Sequence, residues 1–203
     1  VIKAIQDNNG PLFLWSLGCD SKTRDWMKGN NFTLCNPCLL YDQKSFVCSQ
    51  EKMSGYQDAI LSRVTGIIPS SYEYYEAHKN NNKITKPVQM AIECEPLKNY
   101  FPKNGFKILH GLNRYGFKGT QIIENVFSAL NDGRYPGAEF KISGQQTLDN
   151  WLGLLNEHHV IVDQLYNKSL GMNSLYILGS GRILVAGDVA PASALFGIPK
   201  PPM

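Results

Sequence analysis

The sequence has neither a long apolar run nor a run of basic residues. No window approaches the roughly eighteen consecutive apolar residues that indicate a membrane-spanning helix. The 20 Lys and Arg residues are scattered among 17 acidic residues, and the net charge is +3. Surfaces that bind nucleic acid usually carry clustered basic residues. The sequence therefore predicts no membrane span and disfavours a nucleic-acid partner.

Several familiar catalytic and phosphate-binding motifs are also missing. Neither H-E-x-x-H nor G-x-S-x-G occurs. The segment Gly179-Ser180-Gly181 has two glycines, but we predict that a strand follows it, whereas a phosphate loop leads into the start of a helix. The chain thus contains no complete motif of these classes.

The composition is that of a globular protein. Hydrophobic residues make up 43% of the 203 residues and charged residues 18%, which allows a sizeable core. We predict a single domain over residues 1–198, with a cysteine-rich subregion over 1–50 and a proline-rich tail over 199–203. The chain begins with Val1 rather than Met, so we expect a processed product, either secreted or part of a larger processed assembly.

Four of the five cysteines crowd into one short stretch of the sequence: Cys19, Cys35, Cys38 and Cys48. Two residues separate Cys35 from Cys38, a spacing that lets both thiolates reach one tetrahedral zinc ion at about 2.3 Å, with Cys19 and Cys48 as the other ligands. Zinc is the one cofactor that this pattern suggests. The same four residues could instead form two disulfides and leave Cys94 unpaired, or all five could be reduced and buried.

A second hypothesis makes Cys38 a nucleophile. A helix that begins after Pro37 would place this thiol at its positive end and lower the thiol pKa. His159, or alternatively His158, would serve as the base at the edge of the strand Val160-Ile161-Val162. Asp163 would orient that histidine.

Part of the chain resembles the papain-like cysteine hydrolases, in their bacterial double-glycine-peptidase branch. The segment from Thr147 through Val162 is similar to that family's helix followed by an apolar strand, and residues 174–188 are similar to its closing hairpin. The resemblance implies a thiol hydrolase. The family's base histidine usually opens the later strand, and Asn173-Ser174 stands there in this chain, which also fits a relative without catalysis.

Two further segments have a functional interpretation beside a structural one. The segment that begins His110-Gly111 and ends Tyr115-Gly116 could be a nucleotide-binding corner, because glycine lets a ligand approach the backbone, or a polar loop between a strand and a helix. The tyrosines around Glu73 could contact a partner, or they could pack a helix on the domain.

We predict an α+β fold, with a turn-rich cysteine-containing N-terminal segment, central helices and a small C-terminal sheet. The predicted helices lie within 54–65, 72–78, 120–130 and 147–155, and Thr120 and Thr147 are the expected N-caps of the last two. The predicted strands lie within 12–15, 88–94, 106–110, 160–162, 174–178 and 182–186, the last two joined as a hairpin. For function, we expect a non-catalytic structural or interaction module with a protein partner, stabilised by disulfides or zinc. The alternative is the papain-like hydrolase.

Overall fold

A computed structural model of the chain describes residues 2–18, 20–30, 51–93, 95, 102, 105–112 and 118–199. These residues form eight helices and two small parallel sheets, so the fold is mixed α/β. None of the helices within these ranges is both long and apolar enough to cross a bilayer.

In chain order the elements are α1 (Ile2–Asn9), β1 (Phe13–Ser16), α2 (Ser21–Gly29), α3 (Glu51–Arg63), β2 (Gly66–Pro69), α4 (Tyr72–His78), β3 (Phe106–Leu112), α5 (Thr120–Leu130), β4 (Ala138–Gly144), α6 (Leu148–Glu157), β5 (Val160–Val162), α7 (Met172–Gly179), β6 (Ile183–Val185) and α8 (Ala190–Phe196). The chain divides into two compact units. One comprises Val1–Met90 with Ala190–Met203, and the other comprises Ala91–Val189. The single domain over residues 1–198 stays a prediction.

The first unit contains the two-stranded parallel sheet. Strand β1 pairs with β2 in a register that sets Leu14 opposite Ile67. Ile67 is fully buried and packs in a small core with Leu61 and Val64 of the α3 region. Strand β2 is buried at Gly66, Ile67 and Pro69, so its sequence is a continuous apolar run, whereas β1 alternates between exposed and less exposed residues.

The second unit contains a four-stranded parallel sheet in the order β4-β3-β5-β6. The chain first moves from β3 outward to β4, and then adds β5 and β6 on the other side of β3. The direction of strand addition therefore reverses between β3 and β5. In open parallel sheets this reversal leaves a crevice outside the carboxyl ends of the strands.

Helices cover both faces of the second sheet. On one face, Phe127 of α5 contacts Phe140 of β4, with 5.1 Å between the ring centroids. On the other face, the core comprises Leu109, Trp151, Leu155, Ile161 and Ile177, contributed by the sheet, α6 and α7. Successive side chains of β3 point to opposite faces of the sheet. Leu109 therefore faces α6, whereas its neighbour His110 bonds to the start of α5.

The predicted hairpin at the end of the second unit is wrong. The segment predicted as a strand over 174–178 lies in helix α7, and β6 runs parallel to β5 rather than antiparallel to a neighbour. Gly181, with φ of +75°, ends the helix instead of forming a hairpin turn. Residues 88–93, also predicted as a strand, lie in neither a helix nor a strand.

Candidate functional site

A cavity of about 310 Å³ opens in the second unit at the carboxyl ends of β3 and β4. Gly111 and Leu112 line it from the end of β3, and Ser143 lines it from the end of β4. The rest of the lining comes from the starts of α6 and α7 and from the two residues before α6: Gln146, Thr147, Leu148, Trp151, Met172, Asn173 and Tyr176. The cavity therefore lies at the carboxyl edge of the sheet, next to the β3–β5 pair at which strand addition reverses.

Two helices begin at this cavity. Thr147 caps α6, since its side chain accepts a hydrogen bond from the Asn150 amide. Helix α7 follows Gly171, which offers no side chain as a cap. The first amides of a helix have no partner within the helix, and they give its N-terminus a partial positive charge. The cavity thus receives the positive ends of α6 and α7.

The close approach of Trp151 requires a glycine at position 111. A Cβ atom at this position would lie 2.5 Å from two carbons of the Trp151 indole, which packs against the end of β3. Trp151 is only 7% exposed, and its indole nitrogen has no hydrogen-bond partner in the described part of the chain. The backbone of β3 and the indole together form one wall of the cavity.

The loop that leads from β4 into α6 is held in an unusual conformation. Gln145 has φ of +52°, the left-handed region that residues other than glycine seldom adopt. The side-chain Nε2 of Gln146 donates to Ser143 Oγ and to the Gly144 carbonyl, both at 3.0 Å. These bonds hold the loop in place beside the cavity.

A buried ion pair lies beside the cavity, at the point where strand addition reverses. Lys118 Nζ is 2.7 Å from Asp163 Oδ1 and donates to the Gly111 carbonyl at 2.8 Å. Among the described residues, Asp163 Oδ1 accepts no hydrogen bond of normal geometry, so its contact with Lys118 is an ion pair. The other carboxylate oxygen accepts from the hydroxyl of Ser174, in the first turn of α7. Asp163 therefore links the segment before α5 to the start of α7.

His110 connects β3 to its neighbours beneath this ion pair. Its Nδ1 lies 2.8 Å from the Val162 carbonyl, which can only accept, so Nδ1 donates. In the neutral ring Nε2 is then the acceptor for the Thr120 hydroxyl at 3.0 Å. Burial lowers the pKa of His110, and the Lys118 ammonium acts in the same direction. The ring is thus a structural hydrogen-bond bridge in its neutral form.

The first unit has its own buried polar cluster around Asp20. The carboxylate accepts from Ser16 Oγ at 2.7 Å, from the Thr23 amide at 2.9 Å and from His78 Nε2 at 3.1 Å. Burial alone would raise the pKa of Asp20. The bonds from His78, Thr23, Gln57 and Ser16 outweigh it and hold the pKa well below its usual range. Asp20 thereby joins the end of β1, the start of α2 and the end of α4.

The structure does not bring the predicted histidines and Asp163 together. His159 precedes β5, where its Nδ1 accepts from the Lys107 amide at 3.0 Å, and His158 Nδ1 donates to the Leu154 carbonyl at 2.7 Å. Asp163 follows the opposite end of β5. At about 3.3 Å per strand residue, the Cα atoms of His159 and Asp163 are roughly 13 Å apart. Asp163 bonds to Lys118 and Ser174 instead.

The cysteine hypotheses concern residues outside the described ranges. Cys19, Cys35, Cys38, Cys48 and Cys94 all lie there. Within the described ranges, no three His, Cys, Asp or Glu side chains cluster as a metal site would require. The zinc site, the disulfides and the nucleophilic role of Cys38 stay predictions.

Sequence reasoning missed most of the cavity. It singled out Gly111, but it gave no role to Trp151, Thr147 or Asn173 beyond helix or strand formation. The signal that could have found them is positional: each lies just after a strand or at the start of a helix in a β-α-β pattern. Because residues 174–178 were predicted as a strand, the start of helix α7 was missed.

The sequence matches no known protein-family model, and no curated protein matches it.

Proposed function

We propose that the second unit is a binding domain for a small nucleotide-like ligand, meaning an apolar or aromatic body that carries an anionic phosphate group. The observation that carries the proposal is the position of the cavity, at the carboxyl ends of β3 and β4 where α6 and α7 begin. Open α/β sheets bind ligands outside the carboxyl ends of their strands, and nucleotides are among those ligands.

The chemistry of the lining supports both parts of the ligand. Trp151, Tyr176 and Leu148 offer aromatic and apolar surface for its body. The first turns of α6 and α7, with Thr147 and Asn173, offer amides, a hydroxyl and a carboxamide for its anionic end. A volume of about 310 Å³ lies at the small end of the range for ligand sites, which favours one nucleotide over two joined ones.

The decisive experiment is calorimetric titration of the chain with the 5′-monophosphates of adenosine and of uridine. We expect saturable binding of at least one of them, and weaker binding of the corresponding nucleoside. Asn173→Asp adds a negative charge in the first turn of α7. It should weaken binding at least tenfold, about 1.4 kcal/mol, while leaving the helix as stable or more stable.

The matched control is Asn125→Asp, the same charge change on an exposed position of α5 away from the cavity. It should leave the affinity within about twofold of the unmodified chain, since exposed charges are screened by salt. Absence of saturable binding by either monophosphate, or equal affinities for the two aspartate variants, would rule out the proposal.

A further inference from the structure

Another cavity, of about 160 Å³, lies in the first unit between β1 and α3. This volume is well below the roughly 300–1,000 Å³ of sites for drug-sized ligands, so the cavity suits a single small group. The described residues that line it are Leu14, Trp15, Ser16, Leu17, Asp20, Tyr56, Gln57 and Ile60. It shares no lining residue with the cavity of the second unit.

The lining of this cavity includes a negative charge. Asp20 is one of the lining residues, and its side chain is 5% exposed. Burial alone would raise the pKa of this carboxyl, but the hydrogen bonds that it accepts hold the pKa well below its usual range, so the group stays ionised. A hydroxyl and a backbone amide among the donors solvate the charge without cancelling it, and His78 adds a further bond. On the adjoining helices, Lys22 is paired with Asp58 at 2.7 Å, and Arg24 is paired with the residue after it at 2.8 Å.

The carboxylate and carboxamide oxygens that line the cavity already accept hydrogen bonds. Asp20 Oδ1 accepts from a backbone amide, and Oδ2 accepts from Ser16 and His78. Gln57 Oε1 accepts from the amide and the hydroxyl of Ser21, at 2.7 and 2.5 Å. A primary ammonium brings three N–H donors that need acceptors, whereas a quaternary ammonium brings none. The lining therefore favours a cation that forms no hydrogen bonds.

Aromatic and apolar side chains supply the rest of the lining. Trp15 and Tyr56 are 43% and 62% exposed, so much of their ring surface is accessible. Aromatic faces attract cations that lie within about 6 Å of the ring centroid, and quaternary ammonium ligands are recognised in this way. The apolar side chains of Leu14, Leu17 and Ile60 can contact the methyl groups of such a ligand.

We infer that this cavity binds a small quaternary ammonium group, such as the trimethylammonium group of choline. The carboxylate of Asp20 attracts its charge, and the rings of Trp15 and Tyr56 contact its methyl groups. Such a group needs none of the acceptors that are already occupied. The site lies in the first unit and is independent of the nucleotide-like ligand of the second.

The test is calorimetric titration of the full chain with three small molecules. They are choline, its neutral isostere in which a tert-butyl group replaces the trimethylammonium, and ethanolamine, which carries a primary ammonium. Choline should bind saturably. The neutral isostere has the same shape without the charge, and it should bind at least about tenfold more weakly. Ethanolamine should bind at least about fivefold more weakly, because its N–H donors would leave water without gaining acceptors.

Tyr56→Leu removes one ring from the lining and keeps an apolar side chain on an exposed position of α3. The matched control is Tyr135→Leu, which removes a tyrosine that is 55% exposed in the second unit. Choline affinity should fall about fivefold in the Tyr56 variant and change less than about twofold in the control.

Asp20→Asn tests the charge in a sample that thermal melting shows to be folded. It should weaken choline binding at least about fivefold and leave the affinity for the neutral isostere unchanged. The comparison of the three molecules in the unmodified chain needs no variant, so it tests the charge even where this substitution prevents folding.

Phosphatidylcholine vesicles distinguish a lipid headgroup from a free solute as the source of the ammonium group. Co-sedimentation that free choline displaces would assign the headgroup, and choline binding without co-sedimentation would assign a free solute. No saturable choline binding, equal affinity for choline and its neutral isostere, or tighter binding of ethanolamine would overturn the quaternary ammonium site. Unchanged choline affinity in a folded Tyr56→Leu variant would place the binding outside this cavity and overturn it as well.

Discussion

Lys118 and Asp163 form an ion pair inside the second unit, with side chains only 11% and 2% exposed. Removing one member of a buried pair leaves the other charge uncompensated, which costs more than the pair itself contributes. Because Asp163 also accepts from Ser174, the pair holds together the two segments that border the crevice between β3 and β5.

Asp163→Asn should therefore lower the free energy of unfolding by about 3–5 kcal/mol, measured by urea denaturation. The control is Asp132→Asn, which breaks the exposed pair with Arg134, whose side chains are 42% and 67% exposed. That change should cost less than about 1 kcal/mol. If the two substitutions lowered the free energy of unfolding by the same amount, that result would contradict the burial of the Lys118–Asp163 pair.

Gly111→Ala should destabilise the second unit, because the new Cβ would lie 2.5 Å from the Trp151 ring. Overpacking of this kind costs about 1–3 kcal/mol. Gly153→Ala in α6 is the matched control, since its Cβ would meet nothing within 4 Å and alanine favours a helix. The control should raise the thermal midpoint slightly while Gly111→Ala lowers it, and a shift in the same direction for both would count against this packing.

Asp20 should make the stability of the first unit depend on pH. Its folded pKa lies well below the value of about 3.9 expected in the unfolded chain. The stabilisation is therefore complete above about pH 5 and is lost as the pH falls through the unfolded pKa toward the folded one.

Asp20→Asn should reduce the loss of stability at acid pH. It should also lower the free energy of unfolding by about 1.5–3 kcal/mol at pH 7, the usual contribution of hydrogen bonds to a charged group. Urea midpoints measured from pH 7 to pH 3 test both statements. Asp58→Asn, whose carboxylate is 55% exposed beside Lys22, is the control and should change the pH profile little. An unchanged slope in the Asp20 variant would show that another group titrates.

Arg182→Gln should raise the pKa of His159 toward its ordinary value. Burial is the largest cause that lowers the pKa of His159, and the charges of Arg182, His158 and Lys107 lower it further. Removing the guanidinium cancels one of these repulsions, so the imidazole should protonate at a higher pH. Titration of the ring by NMR measures the shift, and Lys141→Gln, on β4, should produce none. A lower pKa in the Arg182 variant would contradict the described electrostatics.

The sequence predicted the elements whose apolar residues recur at clear intervals. The buried residues Ile123 and Phe127 of α5 lie four positions apart, as do Trp151 and Leu155 of α6. Both helices are confirmed, and so is the strand Val160–Val162. The Thr147 cap of α6 is also confirmed. Thr120 was expected to cap α5, but Gly119 occupies that position and Thr120 is the first helical residue.

Short apolar runs could not be assigned to a helix or a strand by their pattern alone. Residues 175–178 are continuously apolar and were therefore predicted as a strand, yet they lie in α7. This helix packs Ile177 in the core and bonds to Asp163 through Ser174. The cavity depends on that helix start. The geometry of the cavity is set by pairings between distant residues, such as Ile108 with Phe140 of β4 and with Val160 of β5, which local periodicity does not encode.

The central position of β3 also has a consequence during synthesis. Its Leu109 pairs with Lys141 of β4 on one side and with Ile161 of β5 on the other, so its second edge stays open until β5 has left the ribosome. A nascent chain halted between these two strands would expose an apolar, unpaired edge, the kind of surface that chaperones bind and that drives aggregation. Slow translation across α6 would therefore prolong the exposure of this edge.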